Sequence, residues 1–266
     1  MPADPPSLPR PPRLAAIVLD VDGTLYRQGP VRRGMLWRLL RAHLVRPLAG
    51  LRTMRALQAY RVAQEELRAL AAAGGAPSAD GMAAEQLRRA AERAGVEARE
   101  LAPLVERWME RAPLDLVAAA ARPGLNAFLD AAAARGIRLG VLSDYPARPK
   151  LAALGVEPRF ASVLCAQDAA IGAFKPDPRG LRAVLAALDV PPERALFVGD
   201  RAEVDAAVAA RAGVACVLVG RAARQPGGAP GAGPPAEAVS RVRDFTELAR
   251  RLFPLDGRPM APGAPL

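Results

Sequence analysis

Leu14-Ala15-Ala16-Ile17-Val18-Leu19-Asp20-Val21-Asp22-Gly23-Thr24-Leu25-Tyr26 runs from an apolar stretch into two acids and a glycine. Ile17, Val18 and Leu19 have the unbroken apolar, partly β-branched character of a strand buried on both faces. Asp20 and Asp22 stand two residues apart at its carboxyl end, so both side chains can enter one crevice. Gly23 permits a tight exit turn, and Thr24 adds a hydroxyl where the chain leaves the strand. Carboxylates at the C-terminal edge of a parallel sheet stand where open α/β proteins bind ligands. An exposed Asx turn closing a strand has the same local sequence, so the decision rests with the rest of the chain.

Downstream, Arg138–Leu142, Ala161–Cys165, Ala195–Val198 and Val214–Val219 read as further short strands. Helical patterns at Gly124–Arg135, Pro178–Leu188 and Asp205–Ala212 lie between them, and a last amphipathic helix, Thr246–Phe253, follows an N-cap at Asp244 or Thr246. Strand-helix alternation of this kind predicts a parallel sheet with right-handed crossovers. From about residue 31 to 115 the pattern is helical instead. Leu36, Leu40 and Leu44, then Leu48, Leu51 and Met54, recur at helical spacing, and Gly74–Ser78 breaks the run before a second helical stretch through Leu101 and Trp108. The expected organisation is an α/β core from residues 13–26 and 116–253, interrupted by a helical insert at 27–115. Pro/Gly-rich tails at 1–12 and 254–266 are expected to be disordered, and the Gly/Pro/Ala stretch 222–236 reads as a mobile loop.

A chain of 266 residues suits one large domain or two modest ones, and 51% hydrophobic content fills a core built mainly from Ala, Leu and Val, since aromatics are 4%. The formal charge of +10 comes with heavy Arg, Ala, Pro and Gly use, the signature of GC-rich coding. With no recognisable module and no aromatic platform, it gives no case for specific nucleic-acid binding. Cys165 and Cys216 lie in apolar stretches without metal-ligand spacing and read as buried, reduced thiols. The first twelve residues lack the apolar segment of a signal peptide, and no run of roughly 18 apolar residues predicts a membrane span. A cytoplasmic location is the expectation.

Three further strand ends repeat the theme of the first. Val141-Leu142-Ser143-Asp144 ends on a hydroxyl. Phe174-Lys175-Pro176-Asp177-Pro178 carries the only lysine besides Lys150, followed by a proline suited to a first helical turn. Phe197-Val198-Gly199-Asp200 ends on an acid, and Asp205 follows five residues later. Singly, Ser143 reads as a cap, Lys175 as a surface charge and Asp205 as a helix N-cap. Together, four acids, one hydroxyl and one ammonium at the same edge of a parallel sheet ask for a shared site.

This set resembles the haloacid dehalogenase-like hydrolase superfamily. Asp20-Val21-Asp22-Gly23-Thr24 matches its first motif, Ser143 its second, Lys175-Pro176 its third, and Gly199-Asp200 with Asp205 its fourth, in the family's order. The resemblance implies a Rossmann-like parallel sheet core with an inserted all-helical cap domain. It implies Asp20 as a nucleophile that becomes an aspartyl phosphate, and Asp22 as the acid/base. It implies Mg²⁺ held by Asp20, the Asp22 backbone carbonyl, Asp200 and Asp205, while Ser143 and Lys175 hold phosphoryl oxygens. Asp22 separates this chain from dehalogenating members, which lack that carboxylate, and points to phosphate esters. Ser143 is followed by Asp144 where many relatives carry Asn, which leaves three contacts open for Asp144: substrate, a ligand water or the turn backbone. Asp20 and Ser143 stand 123 positions apart and leave room for a cap after the first motif; Ser143 and Lys175, 32 apart, do not. The implied activity is hydrolysis of a small phosphorylated metabolite or a lipid-linked phosphate. A phosphomutase with the same phosphoaspartate, and a non-catalytic anion- or membrane-binding protein on this fold, are the alternatives.

The insert also concentrates charge. Residues 27–68 hold ten arginines and, as acids, only Glu65 and Glu66, interleaved with Met35, Leu36, Trp37, Leu39, Leu40, Leu44, Val45 and Leu48. Three readings fit: a leucine face packed on the core with solvated arginines, arginines facing the cleft to bind an anionic substrate, or a segment lying on an anionic membrane or partner. His43, the sole histidine, reads as a packed or surface residue, because the implied chemistry needs no imidazole.

Overall fold

All four residues of β1 (Ala16–Leu19) are buried, and they alternate between two helical layers. Ile17 and Leu19 belong to a cluster with Phe128, Leu129, Phe245 and Leu248, whereas Ala16 and Val18 belong to another with Leu181, Val184, Leu188 and Val208. Burial on both faces is why the strand reads as a continuous apolar run. Each Ile, Val, Leu or Phe side chain removed from water in this way contributes about 1.5–3 kcal/mol. The computed structural model describes residues 14–72, 81–220 and 239–254. Apart from Pro254, the two tails, the break at Gly74–Ser78 and the stretch 222–236 lie outside the described residues.

β2 (Arg138–Ser143), β3 (Ser162–Cys165), β4 (Ala195–Gly199), β5 (Ala215–Val219) and β6 (Arg241–Val242) complete a parallel sheet in the order β3-β2-β1-β4-β5-β6. Leu19 of β1 is opposite Val141 of β2 on one side and Val198 of β4 on the other. The chain therefore runs outward through β2 and β3, then returns to β1 and runs outward the other way. That reversal opens a crevice at the carboxyl ends of β1 and β4. The architecture is the Rossmann-like α/β class expected. Strand limits shift by a residue or two, and β6 was not anticipated, since two residues carry no readable periodicity.

Among the described residues, the insert after β1 is built from five α-helices, α1 (Gln28–Ala42), α2 (Pro47–Ala72), α3 (Met82–Ala94), α4 (Ala98–Val105) and α5 (Leu114–Ala119), with a π-helical turn Glu106–Arg111 after α4. α2, α3 and α4 bury a core of their own, built from Ala56, Ala59, Tyr60, Ala63, Ala90, Ala91, Leu101 and Val105. Val31 of α1 and Val117 of α5 pack instead into the cluster on the sheet. A leucine face packed on the core is not what forms. The inward stripe of α2 is Thr53, Ala56, Tyr60, Ala63 and Leu67, where small residues let helices approach closely, and Leu48 and Leu51 are left outside.

The sheet is covered on one side by α6 (Leu125–Ala133), α7 (Arg148–Ala153) and a C-terminal helix, and on the other by α8 (Arg179–Leu188) and α9 (Ala207–Ala212). The C-terminal helix, α10 (Phe245–Leu252), starts at Asp244, whose carboxylate accepts the Glu247 N–H at 3.0 Å, as an N-cap does. Cys165 is buried, Cys216 is half-buried, and both are free thiols. Among the described residues, no helix is long and apolar enough to cross a membrane.

Candidate active site

Asp20 leaves β1 with its N–H still donating to Val198 of β4 at 2.9 Å, so the strand pairing sets where its side chain starts. The Thr24 hydroxyl donates to Asp20 Oδ2 at 2.8 Å, and Lys175 Nζ donates to Asp20 Oδ1 at 2.5 Å. The same ammonium reaches Asp205 Oδ1 at 2.7 Å. Asp205 does not cap α9. It sits inside a π-helical turn, Ala202–Ala206, and its Oδ2 accepts the backbone N–H groups of Asp200 and Arg201 at 2.9 and 3.0 Å. Two glycines make this crowding possible. Gly23 adopts φ +103°, and a Cβ there would stand 2.2 Å from Asp200 Oδ2; a Cβ on Gly199 would stand 2.3 Å from that of Asp205.

Asp20, Asp200 and Asp205 each bring a carboxylate oxygen within 4.8 Å of the other two. Burial pushes the Asp20 carboxyl up to about 7; Lys175 opposes the rise and Asp205 adds to it. Asp200 is pushed up to about 8, by burial first and then by Asp20 and Asp205. For Asp205 burial acts in the same sense, but Lys175 and the two backbone N–H groups outweigh it and hold the carboxyl below its ordinary range. Three carboxylates facing one ammonium leave an excess of negative charge on hard oxygen donors. That is the donor chemistry of Mg²⁺, so the residues present fit the ion. The Asp22 side chain is not one of this trio. Its backbone carbonyl accepts from Gln28 Nε2 at 2.7 Å.

Asp22 turns instead to Lys150, whose Nζ lies 2.7 Å from both carboxylate oxygens, and it also accepts from the Tyr26 hydroxyl. Burial alone would raise the Asp22 pKa; the Lys150 charge and hydrogen bond outweigh it, and Asp22 is held as a carboxylate. Lys150, Tyr26, Gln28 and Arg122, which donates to the Gly23 carbonyl at 2.5 Å, were not read from the sequence as site residues. For Lys150 a signal existed. In a chain this rich in arginine the two lysines stand out, and both are buried beside the paired acids of the first motif.

Ser143 is fully buried at the end of β2, and its Oγ accepts the Tyr145 N–H at 3.3 Å. Asp144 contacts protein groups: Oδ1 accepts the Lys175 N–H at 3.2 Å, and Oδ2 pairs with Arg68 of α2. Arg68 is thus a buried tie between insert and core rather than a solvated or cleft-facing cation. Tyr145 continues that seam. Its hydroxyl donates to Gln64 at 2.6 Å and accepts from Gln86 at 3.2 Å, and its ring stacks on Tyr60 with centroids 6.1 Å apart. Leu67 and Met82 of the insert meet Ala166 and Phe174 of the core in a small apolar cluster beside it. The guanidinium of Arg61 is held below its ordinary range, by desolvation first and then by the like charge of Arg32. His43 packs near Trp108, with ring centroids 6.1 Å apart, outside the crevice.

A sequence-family model for haloacid dehalogenase-like hydrolases matches residues 14–213. A phosphoserine phosphatase of Thermus thermophilus is 33% identical over 255 residues, spanning 87% of this chain and 96% of that protein. A phosphoglycolate phosphatase of Rhodospirillum rubrum is 33% identical over 219 residues, spanning 77% of this chain and 78% of that protein. Among solved structures, a 2-haloacid dehalogenase from Pseudomonas syringae shares the fold, with a TM-score of 0.58, 22% identity, and coverage of 90% of this chain and 98% of that one.

Proposed function

Because the chain belongs to the haloacid dehalogenase-like hydrolases, we propose that it is a Mg²⁺-dependent phosphomonoester hydrolase working through an aspartyl phosphate on Asp20. The observation that carries this reading is the trio Asp20, Asp200 and Asp205 at the crevice of the sheet, with the buried Asp20 and Asp205 both paired to Lys175 and Asp200 half-buried beside them. Attack by a carboxylate oxygen of Asp20 on phosphorus expels the alcohol, whose oxygen takes a proton from Asp22. A water molecule then attacks the acyl phosphate and gives its proton to Asp22, releasing phosphate and restoring Asp20. Held on Lys150, Asp22 is a carboxylate, the form that accepts this proton; to donate, it must first leave Lys150, take up a proton from solvent and turn toward the leaving oxygen. Lys175 and Ser143 hold phosphoryl oxygens, with Lys175 also orienting Asp20. Asp20, Asp200, Asp205 and the Asp22 carbonyl would hold the ion, which neutralises the carboxylates beside an anionic ester.

The helical insert acts as a cap that excludes bulk water from the crevice. The substrate class is a small phosphorylated acid. Two relatives named for phosphoserine and phosphoglycolate support it. Free thiols at Cys165 and Cys216 accord with a cytoplasmic enzyme.

The test is release of inorganic phosphate from an aryl phosphate, phosphoserine and phosphoglycolate, with Mg²⁺ and after EDTA. Turnover that needs Mg²⁺ and stops with EDTA supports the reading. Activity indifferent to EDTA overturns the metal assignment, and transfer to a second hydroxyl without phosphate release identifies a mutase.

A further inference from the structure

The corner between α1 and α2 exposes what a soluble protein ordinarily buries. Trp37 is 62% exposed, Leu44 79%, Val45 88% and Leu48 74%, with Leu36 and Leu40 also open to solvent. The most exposed of these stand in the turn between the helices, so the apolar surface is a protruding tip rather than a groove. Arg41, Arg46, Arg52 and Arg55 are exposed around it and make no ion pair among the described residues. No acid occurs between Asp22 and Glu65. Scattered surface leucines are ordinary; a contiguous apolar tip ringed by one sign of charge marks a docking surface.

We propose that this corner docks on an anionic phospholipid surface. A second copy of the chain fits poorly. A twofold contact would set the same arginines against one another, with no acid in the stretch to answer them. An acidic protein partner would answer the arginines, but a protruding tip offers no groove for its side chains. A lipid interface accommodates both features. Leucine and valine at the tip enter the acyl boundary, Trp37 sits at headgroup depth, and the arginines reach phosphates with their long arms. This surface is separate from the catalytic crevice and does not depend on the hydrolase reading.

The test is co-sedimentation of the full chain with vesicles of phosphatidylcholine alone or mixed with phosphatidylglycerol, followed by tryptophan emission. Trp108 is buried, so a change in emission reports Trp37. The expected result is sedimentation with the anionic vesicles only, weakened by salt, with a blue shift of Trp37. Substituting Arg46→Gln with Arg52→Gln lowers partition about thirtyfold, at about fivefold for each arginine near an anionic surface. Leu44→Ser with Val45→Ser removes the blue shift, and both variants keep wild-type hydrolysis of an aryl phosphate. No sedimentation with anionic vesicles, or equal sedimentation with neutral ones, overturns the proposal. So does binding to soluble polyglutamate without a blue shift, or a solution dimer that Leu44→Ser dissociates.

Discussion

In the crevice beside β1, Lys175 meets Asp20 and Asp205 at 2.5 and 2.7 Å, and Lys150 meets Asp22 at 2.7 Å. At the corner between α1 and α2, Arg41, Arg46, Arg52 and Arg55 point to solvent beside exposed leucines. The two regions carry charge under different constraints. Desolvated ions cost several kcal/mol unless paired and hydrogen-bonded, so the crevice dictates residue type and position together. An exposed guanidinium costs little wherever it points, so the corner constrains only the sign of the charge.

The largest test of this contrast is Asp20→Asn. It is expected to lower hydrolysis of an aryl phosphate by more than about 10⁴-fold while circular dichroism stays native; residual activity near wild type would break the nucleophile assignment. Lys175→Met comes next. With the ammonium gone, the carboxylates of Asp20 and Asp205 lie buried without their cation, and urea unfolding without Mg²⁺ should register a loss of about 3 kcal/mol. An unchanged midpoint would mean that the crevice tolerates unpaired charge as the corner does. Leu48→Ser at the corner should shift stability by no more than about 0.5 kcal/mol; a larger loss would show that the tip is packed in solution.

The smallest effect is one of pH. Arg38 of α1 holds the exposed Asp115 carboxyl down at about 2, chiefly through its hydrogen bonds. A depressed folded-state pKa adds stability above the ordinary range, and that stability is lost as pH falls through about 2. The difference in melting temperature between wild type and Asp115→Asn should be ~1 °C at pH 5, shrink as pH approaches 2 and vanish only below it.

How much could be read in advance follows the same division. β1, β2, β4 and β5 and their acids were legible because two-sided burial forces long apolar runs, and acids at their ends interrupt that pattern visibly. Asp205 was legible as an acid in place but not as a turn-former, because a π-helical turn leaves no periodic trace. Lys150 was overlooked because it is seven residues past Ser143, on a helix, where spacing alone does not tie it to Asp22. The helices of the insert were legible from their leucines, yet their facing stayed open among three readings: α2 packs on Ala56, Tyr60 and Ala63 and turns Leu48 and Leu51 outward. Periodicity finds a helix more reliably than it says which stripe is covered, when alanines can line the closer contact.

The scarcity of lysine has a practical consequence. Lys150 and Lys175 are both nearly inaccessible, at 6% and 3% exposure. An amine-selective reagent therefore finds no side chain to modify on the native protein, and a lysine-specific protease finds no bond to cut. Cleavage after Lys150 becomes a direct count of molecules whose crevice has opened, readable on a gel without a substrate or a spectroscopic label.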